Sequence, residues 1–317
     1  LLSISIYSKQ NTMENIYRAI EFESLGVTLR GRLYVPEATS TKVPVIVMAH
    51  GFTTTINGMT ADKYAERFRE AGFVVALYDH RNLGTSDGEP RQEINFWMQS
   101  RGYIDAIDFV SSQPEIDAEK IAVWGASMSS REAFLAGTMD DRVKAVVMMI
   151  PALGEEIPKK DLDGSSYKFA KETLYNNNMK NLPQTKTDQM PIVSTDQLST
   201  PSALTELTAY RWFIEYGGRF GTNWQNVVSF STIDAPEDFN LGQLAPNLKA
   251  PILMVVATND EMNGANTTVT AHVYNTITQP KEWVDIDGGH FGLLYYPSDL
   301  FEKSSKSQID FLKRKLH

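Results

Sequence analysis

Cysteine is missing altogether from the 317 residues. Its absence excludes a thiol nucleophile, a thiolate metal site and any disulfide. Basic residues are in deficit, with 30 Lys and Arg against 39 Asp and Glu and a formal charge of −9. A nucleic-acid partner asks for a basic face, and an anionic membrane surface for a polybasic patch, so neither is expected. No apolar run approaches the roughly 20 residues of a membrane-spanning helix. Histidine is scarce, five in all, and they offer neither an H-x-x-x-H nor an H-E-x-x-H spacing. There is no P-loop and no G-x-G-x-x-G after the first apolar strand. No metal and no cofactor is expected.

What is present is a rhythm of short apolar runs and amphipathic stretches. The runs are Val45–Ala49, Val74–Tyr78, Ile121–Trp124, Val143–Ile150, Ile252–Ala257 and Glu282–Ile286. Between them the spacing predicts helices over Ala61–Ala71, Phe96–Ser111, Met128–Met139, Asn266–Ile277 and Leu300–Leu316. Continuous apolar strands alternating with helices imply a mostly parallel sheet covered on both faces. Ile16–Glu23 and Val27–Val35 alternate around Leu25-Gly26, which reads as a leading antiparallel hairpin. Residues 1–12 read as a tail, with Met13 a candidate start and no signal peptide in view, so a cytoplasmic location is expected.

One segment interrupts the rhythm. Residues 154–245 hold polar turns and then the aromatics Tyr210, Trp212, Phe213, Tyr216, Phe220 and Trp224. An insertion this long inside a compact domain is a lid or is disordered, and its aromatics argue for a packed lid. The expected organisation is a core of residues 13–153 and 246–317 with a mostly helical cap over the strand ends.

Two serine motifs compete for the chemistry. Gly84-Thr85-Ser86-Asp87-Gly88 matches G-x-S-x-G in full, whereas Gly125-Ala126-Ser127-Met128-Ser129 fails at its last position. Only the second lies between a buried strand and a helix, the sharp turn that holds a serine hydroxyl up at the sheet edge. Ser86 is followed by Pro90 and no helix, so Asp79-His80-Arg81 with the Gly84–Gly88 turn reads as a hydrogen-bonded corner.

A serine nucleophile needs a base and an orienting acid. His290 follows the last strand at the carboxyl edge, behind Gly288-Gly289, and is the expected base. His50, ending a strand, ties down a loop. Asp260, after Ile252–Ala257, is the expected acid, with Glu261 its neighbouring competitor and Asp285 and Asp287 weaker ones. Two backbone donors, Met128 N–H and Phe52 N–H, would hold an oxyanion. Phe52, Met128, Trp212, Phe213, Phe291 and Tyr295 are expected to line the pocket, for a small acyl or aryl substrate of apolar character.

These residues together resemble the α/β-hydrolase superfamily over nearly the whole chain from Ile16. The run Tyr78-Asp79-His80-Arg81-Asn82-Leu83-Gly84-Thr85-Ser86-Asp87-Gly88-Glu89-Pro90-Arg91-Gln92, with Trp124-Gly125-Ala126-Ser127-Met128-Ser129 and Gly289-His290-Phe291, is similar to the branch of dienelactone hydrolases and X-prolyl dipeptidyl-peptidase-like serine hydrolases. The resemblance implies a Ser127–Asp260–His290 triad and cleavage of an ester, thioester or amide through an acyl-enzyme. Two departures matter. The dienelactone hydrolases use a cysteine, which this chain lacks. The family often places glycines after the elbow serine, where this chain has Ser129, Ser130, Arg131 and Glu132, so the two charged residues are expected to point outward or into the pocket.

A carboxylesterase is the leading expectation. A short-peptide aminopeptidase would need an acidic anchor for the free amine, for which Glu155 or Glu156 is available. A thioesterase or acyltransferase of a biosynthetic pathway is a third reading, and a non-catalytic binder on the same fold a fourth.

Overall fold

The computed structural model describes residues 16–37 and 41–317. The expected tail, residues 1–12, lies outside them. An eight-stranded sheet forms the centre of the fold. Its first strands, β1 (Tyr17–Ser24) and β2 (Val27–Tyr34), form the antiparallel hairpin. The turn between them puts Leu25 at φ 46° and Gly26 at φ 78°. Two successive left-handed residues match the right-handed twist of paired strands.

β2 runs antiparallel to β4 (Val74–Tyr78). From there the sheet is parallel through β3 (Val43–Ala49), β6 (Ile116–Ala126), β7 (Val143–Met149), β10 (Ile252–Ala257) and β11 (Lys281–Ile286). Side chains on a strand alternate between faces. Val45, Val47 and Ala49 of β3 accordingly enter one apolar core, while Ile46 and Met48 enter a second. The first core also takes α2 (Phe96–Ser111), α3 (Met128–Met139) and α6 (Thr267–Thr276), and the second takes α1 (Ala61–Glu70) and α7 (Asp299–Leu316). With both faces covered, the strands carry no polar alternation, which is why they read as continuous runs.

Residues 154–245 are less helical than expected. They contain α4 (Ser165–Leu174) and α5 (Leu207–Trp212), the latter continuing as a π turn over Phe213–Gly217. They also contribute β8 (Gln184–Lys186) and β9 (Ser229–Ile233) to a three-stranded sheet completed by β5 (Glu93–Ile94). These strands are two to five residues long, too short for a periodicity to register in the sequence. No helix among the described residues is long and apolar enough to cross a membrane.

Candidate active site

β3 and β4 end beside each other, as do β3 and β6, with Ala49 opposite both Tyr78 and Gly125. The three loops that follow, from His50, Asp79 and Ser127, therefore share one stretch of the carboxyl edge. Ser127 makes the turn from β6 into α3 at φ 55°, ψ −119°. Such a conformation costs about 1–3 kcal/mol and persists only where the surroundings impose it. Here the Ser127 N–H is held by the Met149 carbonyl at 2.9 Å. Gly125 is required beneath it, because a Cβ there would sit 2.1 Å from the Ser129 carbonyl oxygen.

His290 opens a 3-10 turn after β11. Its Nε2 lies 2.9 Å from Ser127 Oγ and its Nδ1 2.7 Å from Asp260 Oδ2. A carboxylate only accepts, so Nδ1 carries the proton and Nε2 presents a lone pair to the serine hydroxyl. Asp260 is itself held by the Met262 N–H on its other oxygen. The competing Glu261 turns elsewhere. It accepts the His290 backbone N–H at 2.7 Å and the Thr208 hydroxyl of α5 at 2.5 Å. Burial alone would raise the Glu261 carboxyl, but these two donors hold it below its ordinary value. Asp285 instead accepts from Trp283 Nε1, and Asp287 from Asn259, both at the surface.

Neither Phe52 N–H nor Met128 N–H has an acceptor among the described residues. Met128 is the first residue of α3, so its N–H also lies at the positive end of the helix dipole. Phe52 follows Gly51, whose bare Cα permits close approach: a Cβ there would stand 2.9 Å from the Ala126 carbonyl oxygen and 3.2 Å from Ser127 Cβ. His50 is the tie the sequence suggested. It is buried, accepts the Gly51 N–H on Nδ1 at 2.7 Å and meets the Met59 carbonyl with Nε2. Burial lowers its pKa to about 4 against the opposing Met59 carbonyl.

Ser127 opens on a cavity of about 50 Å³, walled by Phe52, Trp212, Phe213 and Phe291. Thr54, Leu204, Met262 and Leu294 complete it. None of these four carried a sequence signal, since each is an ordinary residue in a loop or turn. Tyr295 and the Met128 side chain do not line it. Tyr295 packs edge-on against Tyr216 instead, with ring centroids 5.6 Å apart. Trp212 is anchored by its indole N–H to the Leu294 carbonyl at 3.0 Å and stacks on Tyr216. The π turn after α5 sets Phe213 and Tyr216 against Trp212, and of the three Trp212 and Phe213 face the cavity.

Other expectations need correction. Glu155 and Glu156 are exposed and form no part of the cavity wall. Arg131 and Glu132 point neither outward nor into it. Arg131 lies over the Phe96 ring at 4.8 Å, and Glu132 is fully buried beneath the elbow. α3 is buried along nearly its whole length, Ser129, Ser130 and Glu132 to Met139 included, so Glu132 has no solvent-facing side to occupy. Ser86 is a corner residue. Its hydroxyl donates to the Asp79 carbonyl at 2.6 Å and accepts the Arg30 N–H at 2.9 Å, while the Asp79 carboxylate takes donors from Ile56 and Thr85. Among the described residues no group of three or more His, Asp or Glu is placed to hold a metal ion.

Residues 26–292 match the X-Pro dipeptidyl-peptidase (S15) family. The chain belongs to this family. It is an α/β-hydrolase enzyme of the serine-hydrolase kind. Similar proteins include the thiohydrolase apmlB of Arthrinium phaeospermum, 31% identical over 92% of this chain and 95% of that one. The quorum-quenching protein AidA of Acinetobacter baumannii is 27% identical over 93% and 94%. Among solved structures, the α/β hydrolase GrgF from Penicillium sp. sh18 superposes with a TM-score of 0.70 at 25% identity, over 95% of this chain and 99% of GrgF.

Proposed function

We propose that the enzyme cleaves an ester or thioester of a short, uncharged acyl group through an acyl-enzyme on Ser127. The observation that carries this reading is the small apolar cavity into which Ser127 Oγ opens, 2.9 Å from His290 Nε2. His290 takes the hydroxyl proton as Oγ attacks the carbonyl carbon, and the carbonyl electron pair becomes an oxyanion held by the Phe52 and Met128 N–H groups. The intermediate collapses, and the leaving alkoxide or thiolate takes the proton from His290. Water then repeats the sequence to release the acid. Asp260 keeps His290 in its tautomer and stabilises its cation.

The acyl length follows from volume. A dry cavity of about 150 Å³ admits benzene, so one of about 50 Å³ has room for roughly two to three heavy atoms. No acidic residue stands in the cavity wall to receive a free amine, which favours an ester or thioester over a peptide. The similarity to a relative named thiohydrolase supports a thioester as one of the substrates.

Labelling with a fluorophosphonate followed by peptide mapping tests the site. An adduct on Ser127, lost in Ser127→Ala together with turnover, is expected. An adduct on another serine, or a Ser127→Ala variant that keeps its activity, overturns the assignment. Turnover of matched esters and thioesters of two to eight carbons tests the acyl class, and an optimum at eight would sink it.

A further inference from the structure

The polar side chains that follow the elbow serine face away from the cavity. Ser129 is 1% exposed and Glu132 is fully buried, and both meet His80, buried just beyond the end of β4. His80 Nε2 lies 2.9 Å from Ser129 Oγ and 2.9 Å from Glu132 Oε2. The rings of Tyr78 and Tyr103 flank the imidazole, with centroids 5.6 and 6.0 Å away. The Ser129 hydroxyl donates to the His50 carbonyl. A carbonyl can only accept, so the serine proton is committed to it and Ser129 Oγ must accept from His80. That places a proton on His80 Nε2, the nitrogen that also faces the Glu132 carboxylate.

This serine, histidine and glutamate are shut off from solvent, so they do not form a second nucleophilic site. Their effect is on the peptide between His50 and Gly51. Its carbonyl is held by Ser129, and its N–H is held by His50 Nδ1 at 2.7 Å. A planar peptide pinned at both polar ends has no freedom to rotate. The next peptide is held by its carbonyl alone, since Gly51 O accepts the Thr54 hydroxyl at 2.7 Å and the Thr54 N–H at 3.2 Å. What remains unengaged is the Phe52 N–H, one of the two proposed oxyanion donors.

We infer that His80 and Ser129 are positioning residues that aim the Phe52 N–H at the oxyanion, a role that rests on Ser127 being the nucleophile. His80 fixes the Ser129 hydroxyl, and Ser129 locks the His50–Gly51 peptide. The effect belongs to the transition state, where the oxyanion exists, and not to the ground-state complex.

The test is kinetic. A misplacement of about 1 Å can cost on the order of 10²-fold in rate, so Ser129→Ala should lower kcat by about 10- to 100-fold with KM for a short ester within about threefold. A trifluoromethyl ketone, which binds as a tetrahedral oxyanion, should weaken by the same factor as kcat/KM, while the matching secondary alcohol keeps its affinity. His80→Ala should fall as far as Ser129→Ala, and the double variant should fall no further. His80→Gln, whose amide can donate to Ser129, should recover part of the loss. If Ser129→Ala does not fold, the His80→Ala and His80→Gln pair carries the same comparison. Turnover within twofold of wild type, a loss confined to KM, or additive losses in the double variant would overturn the inference. Failure of the wild-type protein to label at Ser127 would instead overturn the nucleophile assignment, so the two outcomes are separable.

Discussion

Glu261 accepts the backbone N–H of His290 through one carboxylate oxygen and the hydroxyl of Thr208 through the other. One side chain thus joins α5, which carries Trp212, to the loop that carries the proposed base. Gly289 allows this, since a Cβ there would lie 2.6 Å from Glu261 Oε2. Glu261→Ala should lower kcat about tenfold and stability by roughly 1–2 kcal/mol, because a partly buried N–H loses its acceptor. Glu261→Gln should stay near wild type, since its oxygen can face His290 and its amide can donate to Thr208. Steady-state kinetics and urea unfolding check both, and equal losses in the two variants would show that charge, not hydrogen bonding, matters.

The elbow should not tolerate the smallest side chain at its first glycine. In Gly125→Ala the new Cβ meets backbone, the Ser129 carbonyl, which no rotamer change can move. A loss of about 3 kcal/mol and of kcat by on the order of 10²-fold is expected together. A variant with wild-type melting temperature and turnover would contradict the geometry.

The acyl cavity should open at Leu204. This residue lies in the segment before α5 and lines the cavity. Leu204→Ala should move the ester optimum from two or three carbons towards four to six, with kcat/KM for the longer esters rising about tenfold. One or two added methylenes are worth roughly 1–3 kcal/mol in an apolar pocket. An unchanged chain-length profile would place the acyl group elsewhere.

Stability should fall in mild acid through His50. Burial depresses its folded pKa to about 4, against about 6.5 in an unfolded chain. The unfolded state therefore binds the proton first, so the contribution is complete above about pH 6.5 and is lost as pH falls towards 4. Between pH 7 and 5 the loss amounts to roughly 2 kcal/mol. Urea unfolding at the two values checks this, and His50→Asn should remove that part of the difference.

Some parts of this arrangement were legible in the chain and others were not. Helices α2 and α3 and strand β10 begin and end where the apolar spacing placed them. Strand–turn–helix context chose Ser127 over the better motif around Ser86, and the structure brings Ser127, Asp260 and His290 within hydrogen-bonding reach. Short strands such as β5, β8 and β9 escaped, because their pairing is non-local and two to five residues carry no period. The side chains of Arg131 and Glu132 were misread for a related reason. A charged residue looks solvent-facing until the partner that buries it is known, and His80 lies 52 positions away from Glu132 in the chain.

Local chemistry therefore determined the sheet, its covering helices and the turn that raises Ser127, since periodicity and glycine placement act over a few residues. Tertiary structure alone decided where Glu261 turns, how small the cavity is and what holds the Phe52 N–H in place. Those depend on residues far apart in sequence meeting to within a few tenths of an ångström, and such positions are set only when the whole core has packed.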